Sequence, residues 1–242
     1  MHEATAHSVV SEALVRFATA ALADQRVQAA AAGAVAEARA QIAAAGDAGP
    51  QLAALLQSQG SRPDDTRVRS WILGATFATQ VSSPSSPVLA AVIAMGDKLA
   101  ASADEIAAAA AIGIEAAARV LAAVDSEEFR ARWNVSSAVG VLGATLAVCR
   151  LLKLDETCTR HALGIAATQA AGLAHNSGQA MAALETGKAA ADAIEAALLA
   201  KHGFTSAPAS IDGRRGFAAL MTYRFDTPLL IDDLGTHWIS FS

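Results

Sequence analysis

Aromatic residues make up only 5% of this 242-residue chain although 53% of it is hydrophobic, so its apolar content is mostly alanine. Alanine joins high helix propensity to a small side chain, which suits closely packed helices and argues against the strand-rich core of a β-sandwich. Basic clusters are missing as well. The net charge is −5 and the 18 lysines and arginines are scattered, so no basic face is available to hold a nucleic acid. Long apolar runs are absent too, because polar or charged residues interrupt every stretch near the roughly 20 residues that a membrane span requires. No membrane association is expected. The opening MHEATAHSVV lacks the basic start and long apolar run of a secretory signal. Only two cysteines occur, Cys149 and Cys158, without metal-ligand spacing, which predicts a cytoplasmic protein with free thiols. Asp232 and Asp233 have no third ligand at useful spacing, so no metal site is expected, and nothing calls for another cofactor.

What is present is a succession of helical patterns. From about Val9 to Ala45 the chain is alanine-rich, with larger apolar residues spaced to fit two helices. GDAGP breaks them, Gln51 to Gln59 forms a short helix, and GSRPDD turns the chain. Asp64 or Asp65 is then placed to favour the start of a helix over about Thr66 to Thr79. The prolines of SSPSSP impose a loop, although Pro87 can open the following helix. Ser102 with Glu105 makes a capping box before a helix to about Val124, and Asp125 with Glu128 repeats the pattern for a short turn ending at Arg132.

The stretch from Asn134 to Gly203 carries most of the information. Gly140, Gly143, Ala144 and Ala147 lie in an apolar run, which marks a helix buried on nearly every side. No strand precedes these glycines, so close packing explains them better than a phosphate cradle. Asp155 can cap a second helix with Leu163, Ile165, Ala166, Ala170 and Leu173 as its apolar surface. Gly172 and AHNSGQ break that helix, a third runs from about Ala183 to His202, and Gly203 ends it in a left-handed cap. Gly213 to Tyr223 reads as one more short helix, and residues 224–242 as an irregular or partly extended tail. The expected fold is one all-α domain over residues 1–242, of about eight or more helices. The segments Gly140 to Leu152 and Leu163 to Leu173 belong at its centre.

The words of this stretch resemble the helical domain of the MmgE/PrpD family. Gly140 to Asp155 is similar to its Gly-x-x-Gly-Ala helix and Arg-Leu-Leu-x-Leu-Asp turn, and Ala162 to Ala166 reads ALGIA as the family does. Gly172 to Ala190, ending in GKAA, follows its next loop and helix. Upstream, SPSSPVLAAVIAMGD resembles a His-Pro-Ser segment with the His changed, and downstream LLAKHGFTSAPASIDGRRGFAALM resembles the segment that follows. The resemblance runs from about Trp71 to Trp238. It implies a helical domain, lyase or isomerase chemistry on small carboxylates, and a homodimer. It also implies an α+β lid domain that residues up to Ser242 do not include, so a lid would come from a separate chain or a full-length relative, or be dispensed with.

The resemblance also implies where chemistry should sit, and there this sequence departs from it. The family's acidic run has no counterpart in TFATQVS, its loop His falls on Ser83, its second His on Asn134, and its loop Lys on Ala182, with a neighbouring His at Glu185. Serine, asparagine and alanine cannot move a proton near neutral pH, which dehydration, decarboxylation or epimerisation of a carboxylate demands. A replacement set is His175 and Glu185 as an acid–base pair, with Ser83, Asn134, Ser136, Asn176 and Lys188 binding a small-molecule substrate. The plainer alternative has His175 and Asn176 closing a solvated helix turn. Two functions follow: a lyase or isomerase with a rebuilt cleft, or a non-catalytic helical subunit, scaffold or binding module.

Overall fold

The computed structural model describes residues 8–45, 48–62 and 64–242. Sequence readings that fall on Met1 to His7, on Gly46 and Asp47 of the GDAGP break, and on Pro63 of the GSRPDD turn lie outside the described residues. The chain forms α1 (Val9–Thr19), α2 (Gln25–Ala44), α3 (Ala48–Ser58), α4 (Thr66–Ala78), α5 (Ser85–Leu99) and α6 (Ala103–Val124). There follow α7 (Glu127–Arg132), α8 (Val135–Leu151), α9 (Glu156–Gln169), a 3₁₀ turn at Ala174–Asn176, α10 (Ala180–Lys201), α11 (Phe217–Met221) and α12 (Thr227–Ile231). Among the described residues there is no strand, only one isolated bridge between Trp133 and Leu173. The expected all-α class is the one observed.

Local chemistry sets many of the boundaries. Asp155 Oδ1 accepts from the amide of Cys158 at 2.7 Å and opens α9, and Asp65 does the same for α4 through Arg67 and Val68. The Ser102–Glu105 capping box is complete in both directions at α6. Before α7 the cap is Ser126, which accepts from Phe129 at 3.0 Å, rather than Asp125, whose carboxylate pairs with Arg130. Gly203 takes φ +89°, the left-handed conformation that ends α10.

Helix α8 is the axis of the domain: α5, α6, α9 and α10 pack round it, and 15 of its 17 residues are buried. Its narrowest approach is to α6, where a Cβ on Gly143 would run into the carbonyl oxygen of Gly113 and the backbone of Ala117. Backbone atoms cannot swing aside as a side chain can. Gly143→Ala should therefore cost about 1–3 kcal/mol by overpacking, read as a lower urea midpoint with unchanged slope. A variant as stable as the parent would remove this account of the α6–α8 crossing.

The expectation for the next segment needs correcting. Helix α9 stops at Gln169 and buries only Thr159, Ala162, Leu163, Gly164 and Ala166, while Leu173 lies beyond it on the surface, 57% exposed. The chain leaves the helix at Ala170, whose ψ of 115° is extended, and Gly172 at φ +121° then turns it again before Leu173 is reached.

Helix α6 is long and apolar enough to cross a membrane by length and composition, which the reading of interrupted apolar runs did not anticipate. Here 72% of its most apolar window is buried inside the domain. It also carries an ion pair at its middle, Glu115 and Arg119, with side chains 0% and 5% exposed. Arg119 donates to the carbonyl oxygens of Asp232 and His237 at 2.6 Å, and Glu115 accepts from the amides of Ile239 at 3.1 Å and Ser240 at 3.0 Å. The tail expected to be irregular or partly extended is thus folded onto α6 through α12 and a series of turns, with Leu230 and Trp238 in the core. Both cysteines are free; burial pushes the Cys149 thiol up to about 12.

Candidate functional site

Three helices begin at one end of the bundle. Ser82 precedes α5, Asn134 precedes α8 and Gln179 precedes α10, and these residues share a cleft of about 680 Å³. Its remaining polar wall is Thr79, Arg130, Ser136 and Ser177, with Trp133, Leu173 and Ala182 on the apolar side. The α7–α8 junction is held there by backbone: the amide of Asn134 donates to the carbonyl of Gly172 at 3.0 Å. A Cβ at Gly172 would strike Ser137 Oγ and crowd Asn134, so the position needs glycine for space as well as for its φ.

None of these three helices starts with a side-chain cap, α5 because Pro84 stands at the capping position. Neither Asn134 nor Gln179 turns back to bond the first-turn amides of its own helix. For Asn134 the reason is visible, since its Nδ2 donates instead to Glu185 Oε2 at 3.0 Å and to the carbonyl of Ala182 at 3.3 Å. The first turns of α8 and α10 therefore bring N–H dipoles without side-chain caps to the cleft, although the Ala182 amide donates to the carbonyl of Gln179, and such a setting favours negative charge. Arg130 adds a guanidinium whose charge is shared with Asp125. Its Nε and Nη2 bond Asp125 at 2.6 and 2.9 Å, leaving Nη1 for a ligand, and the same carboxylate raises its pKa above the ordinary arginine value.

The residues proposed from sequence divide into two groups. Asn134, Asn176 and Glu185 are brought together: Asn176 Nδ2 donates to Glu185 Oε1 at 2.5 Å, so the two amides occupy both carboxylate oxygens. Ser136 lies on the cleft wall with its hydroxyl 3.0 Å from that of Ser82. His175 is exposed on the 3₁₀ turn, outside the cleft lining, with no hydrogen bond to Glu185. Ser83 turns to the start of α5, with its hydroxyl 2.8 Å from that of Ser85. Lys188 pairs with Asp192 along α10 and lies 5.9 Å from the Trp71 ring centroid. It opposes the burial that pushes the Asp192 carboxyl up, a packing role on the α4–α10 seam.

Sequence reasoning missed Arg130, Thr79, Ser82 and Gln179. Arg130 had one available signal, its place a helical turn before Asn134; the other three sit in loops or at helix ends whose geometry pattern does not reveal. Among the described residues no three His, Cys, Asp or Glu side chains form a group able to hold a metal. The cleft can therefore hold an anion through dipoles, hydroxyls and one guanidinium, while its lining includes no His, Asp, Glu, Lys or Cys.

Residues 66–229 match the model of the MmgE/PrpD N-terminal domain. A 130-residue stretch is 32% identical to cis-aconitate decarboxylase of Homo sapiens. That stretch covers 53% of this chain and 27% of the human protein, so the match spans little more than a quarter of that relative.

Proposed function

This chain belongs to the MmgE/PrpD family, with residues 66–229 forming its N-terminal domain, and from that premise we propose that it binds a small carboxylate which it does not transform on its own. The carrying observation is the cleft lining: two uncapped helix starts and Arg130 supply attraction for an anion, and no lining side chain is a competent acid or base near neutral pH. On this reading the chain is a non-catalytic binding subunit or module of the family.

Titration calorimetry with small di- and tricarboxylates, set against the corresponding amides, tests it. The carboxylates should bind and the amides should not. Removal of a charge-assisted bond predicts that Arg130→Ala weakens binding about tenfold or more. Equal binding of acids and amides, or an Arg130→Ala variant that binds as the parent does, would overturn the proposal.

One observation favours a second reading, a lyase or isomerase with a rebuilt site. Glu185 is bonded to Asn176, the neighbour of His175, so a ligand that displaced the Asn176 amide would free the Glu185 carboxylate on the side of the turn that carries the imidazole. That reading requires His175 and Glu185 for turnover, and its substrate would be a small carboxylate, as the name of the human relative suggests.

A further inference from the structure

Beside the cleft lies a second surface with different chemistry. Leu173, Leu220 and Tyr223 are 57%, 65% and 88% exposed, the last two being the most exposed large hydrophobic residues among those described. They are linked through the structure. Trp133 pairs by backbone with Leu173 and donates its Nε1–H to the carbonyl of Met221 at 2.8 Å, beside Leu220. The Arg132 guanidinium lies 5.3 Å from the Trp133 ring centroid and 5.5 Å from that of Tyr223. Leu220 in turn lines an open groove of about 950 Å³ whose rim carries Arg214 and Arg215. Arg130, Arg132 and Arg224 are each paired with a carboxylate of this chain, whereas Arg214 and Arg215 form no ion pair among the described residues.

We infer that this face docks a second polypeptide whose contacting surface sets apolar side chains among aspartates and glutamates. A tryptophan and a tyrosine stacked on one arginine is the composition of interface centres, and two arginines unpaired among the described residues call for carboxylates from outside. A small acid in the groove would leave Leu173 and Tyr223 bare, since neither belongs to its lining. A two-fold pairing of this face with itself would bring four unpaired arginines into one interface, like charge against like. An anionic membrane surface, flat and charged throughout, would also have to cover the carboxylates of Asp125 and Glu128, which pair with Arg130 and Arg132. Trp133 and Leu173 also line the carboxylate cleft, so a docked partner would lie at its mouth. The inference itself does not depend on what that cleft binds.

The probe is a fluorescein-labelled amphipathic peptide of leucine and glutamate, with a second peptide in which every glutamate is lysine, followed by anisotropy on the full chain. The glutamate peptide should bind, more weakly as salt rises, and the lysine peptide should not. Arg214→Ala with Arg215→Ala, and separately Leu220→Ser, should each weaken binding about tenfold. These side chains are exposed, and an unchanged circular dichroism spectrum establishes that the variants fold. Four results would overturn the inference: no binding of the glutamate peptide up to about millimolar concentration; equal binding of both peptides; self-association in the ultracentrifuge that Leu220→Ser abolishes; or co-sedimentation with phosphatidylserine vesicles that depends on Arg214 and Arg215.

Discussion

Arg119→Met is expected to lower the stability of this domain by about 3–5 kcal/mol, the range for removing one partner of a buried ion pair. Glu115 would be left charged and 0% exposed, and the carbonyl groups of Asp232 and His237 would lose their donor. The informative comparison is the double variant Glu115→Met with Arg119→Met. For many buried pairs, apolar replacement of both partners is neutral or stabilising, because two desolvated charges vanish together. Here the pair also satisfies backbone groups of the tail, among them the amides of Ile239 and Ser240. Each buried group left without a partner costs about 1–3 kcal/mol. The double variant should therefore stay destabilised and should release residues 229–242 to limited proteolysis before the helical core unfolds. A double variant as stable and as protease-resistant as the parent would show that the tail is held by Leu230 and Trp238 alone.

The same ion pair shows where sequence stops being informative. Helix caps were legible because their bonds span three residues: Asp155 to Cys158, Ser102 to Glu105 and Asp65 to Val68 can each be read from adjacent letters. The burial of α8 was legible from composition, since a helix with glycine, alanine and aliphatics on every face has no surface suited to water. From the letters alone, Glu115 and Arg119 are no more than two opposite charges one helical turn apart. Their true partners lie more than 100 residues along the chain, in a tail with no periodicity of its own.

The site divides in the same way. The resemblance points to Asn134 and Glu185 by position and the AHNSGQ loop adds Asn176, and the three do meet, although as a carboxylate held by two amides. His175 shares that loop, but a place in a loop does not set which face of a 3₁₀ turn meets solvent, and His175 is exposed. Ser82 and Ser83 are chemically identical neighbours; the first lines the cleft and the second braces α5. Only the backbone path through Pro84 separates them.

The largest expected effect concerns activity: cis-aconitate and 2-methylcitrate should show no measurable turnover with the purified chain. The positions where the family resemblance implies two histidines and a lysine hold Ser83, Asn134 and Ala182, and its acidic run has no counterpart in residues 76–82. Loss of one general acid or base lowers a rate by about 10²- to 10⁴-fold, and groups that act as a unit fail together. The lining of the cleft offers hydroxyls, amides and Arg130 in their place, which can hold a carboxylate but cannot take its α-proton. Product detection by mass spectrometry after long incubation is the appropriate measurement, because a residual rate near the uncatalysed one must be excluded. Clear turnover of cis-aconitate by the unmodified chain would refute the prediction. Any such activity can then be assigned: His175→Ala and Glu185→Gln should each lower it if the rebuilt acid–base pair carries the chemistry. For Glu185→Gln the loss must be in kcat with the helical circular dichroism spectrum intact, since the same carboxylate also ties Asn134 to Asn176. Turnover indifferent to both substitutions would place the chemistry on a group outside this cleft.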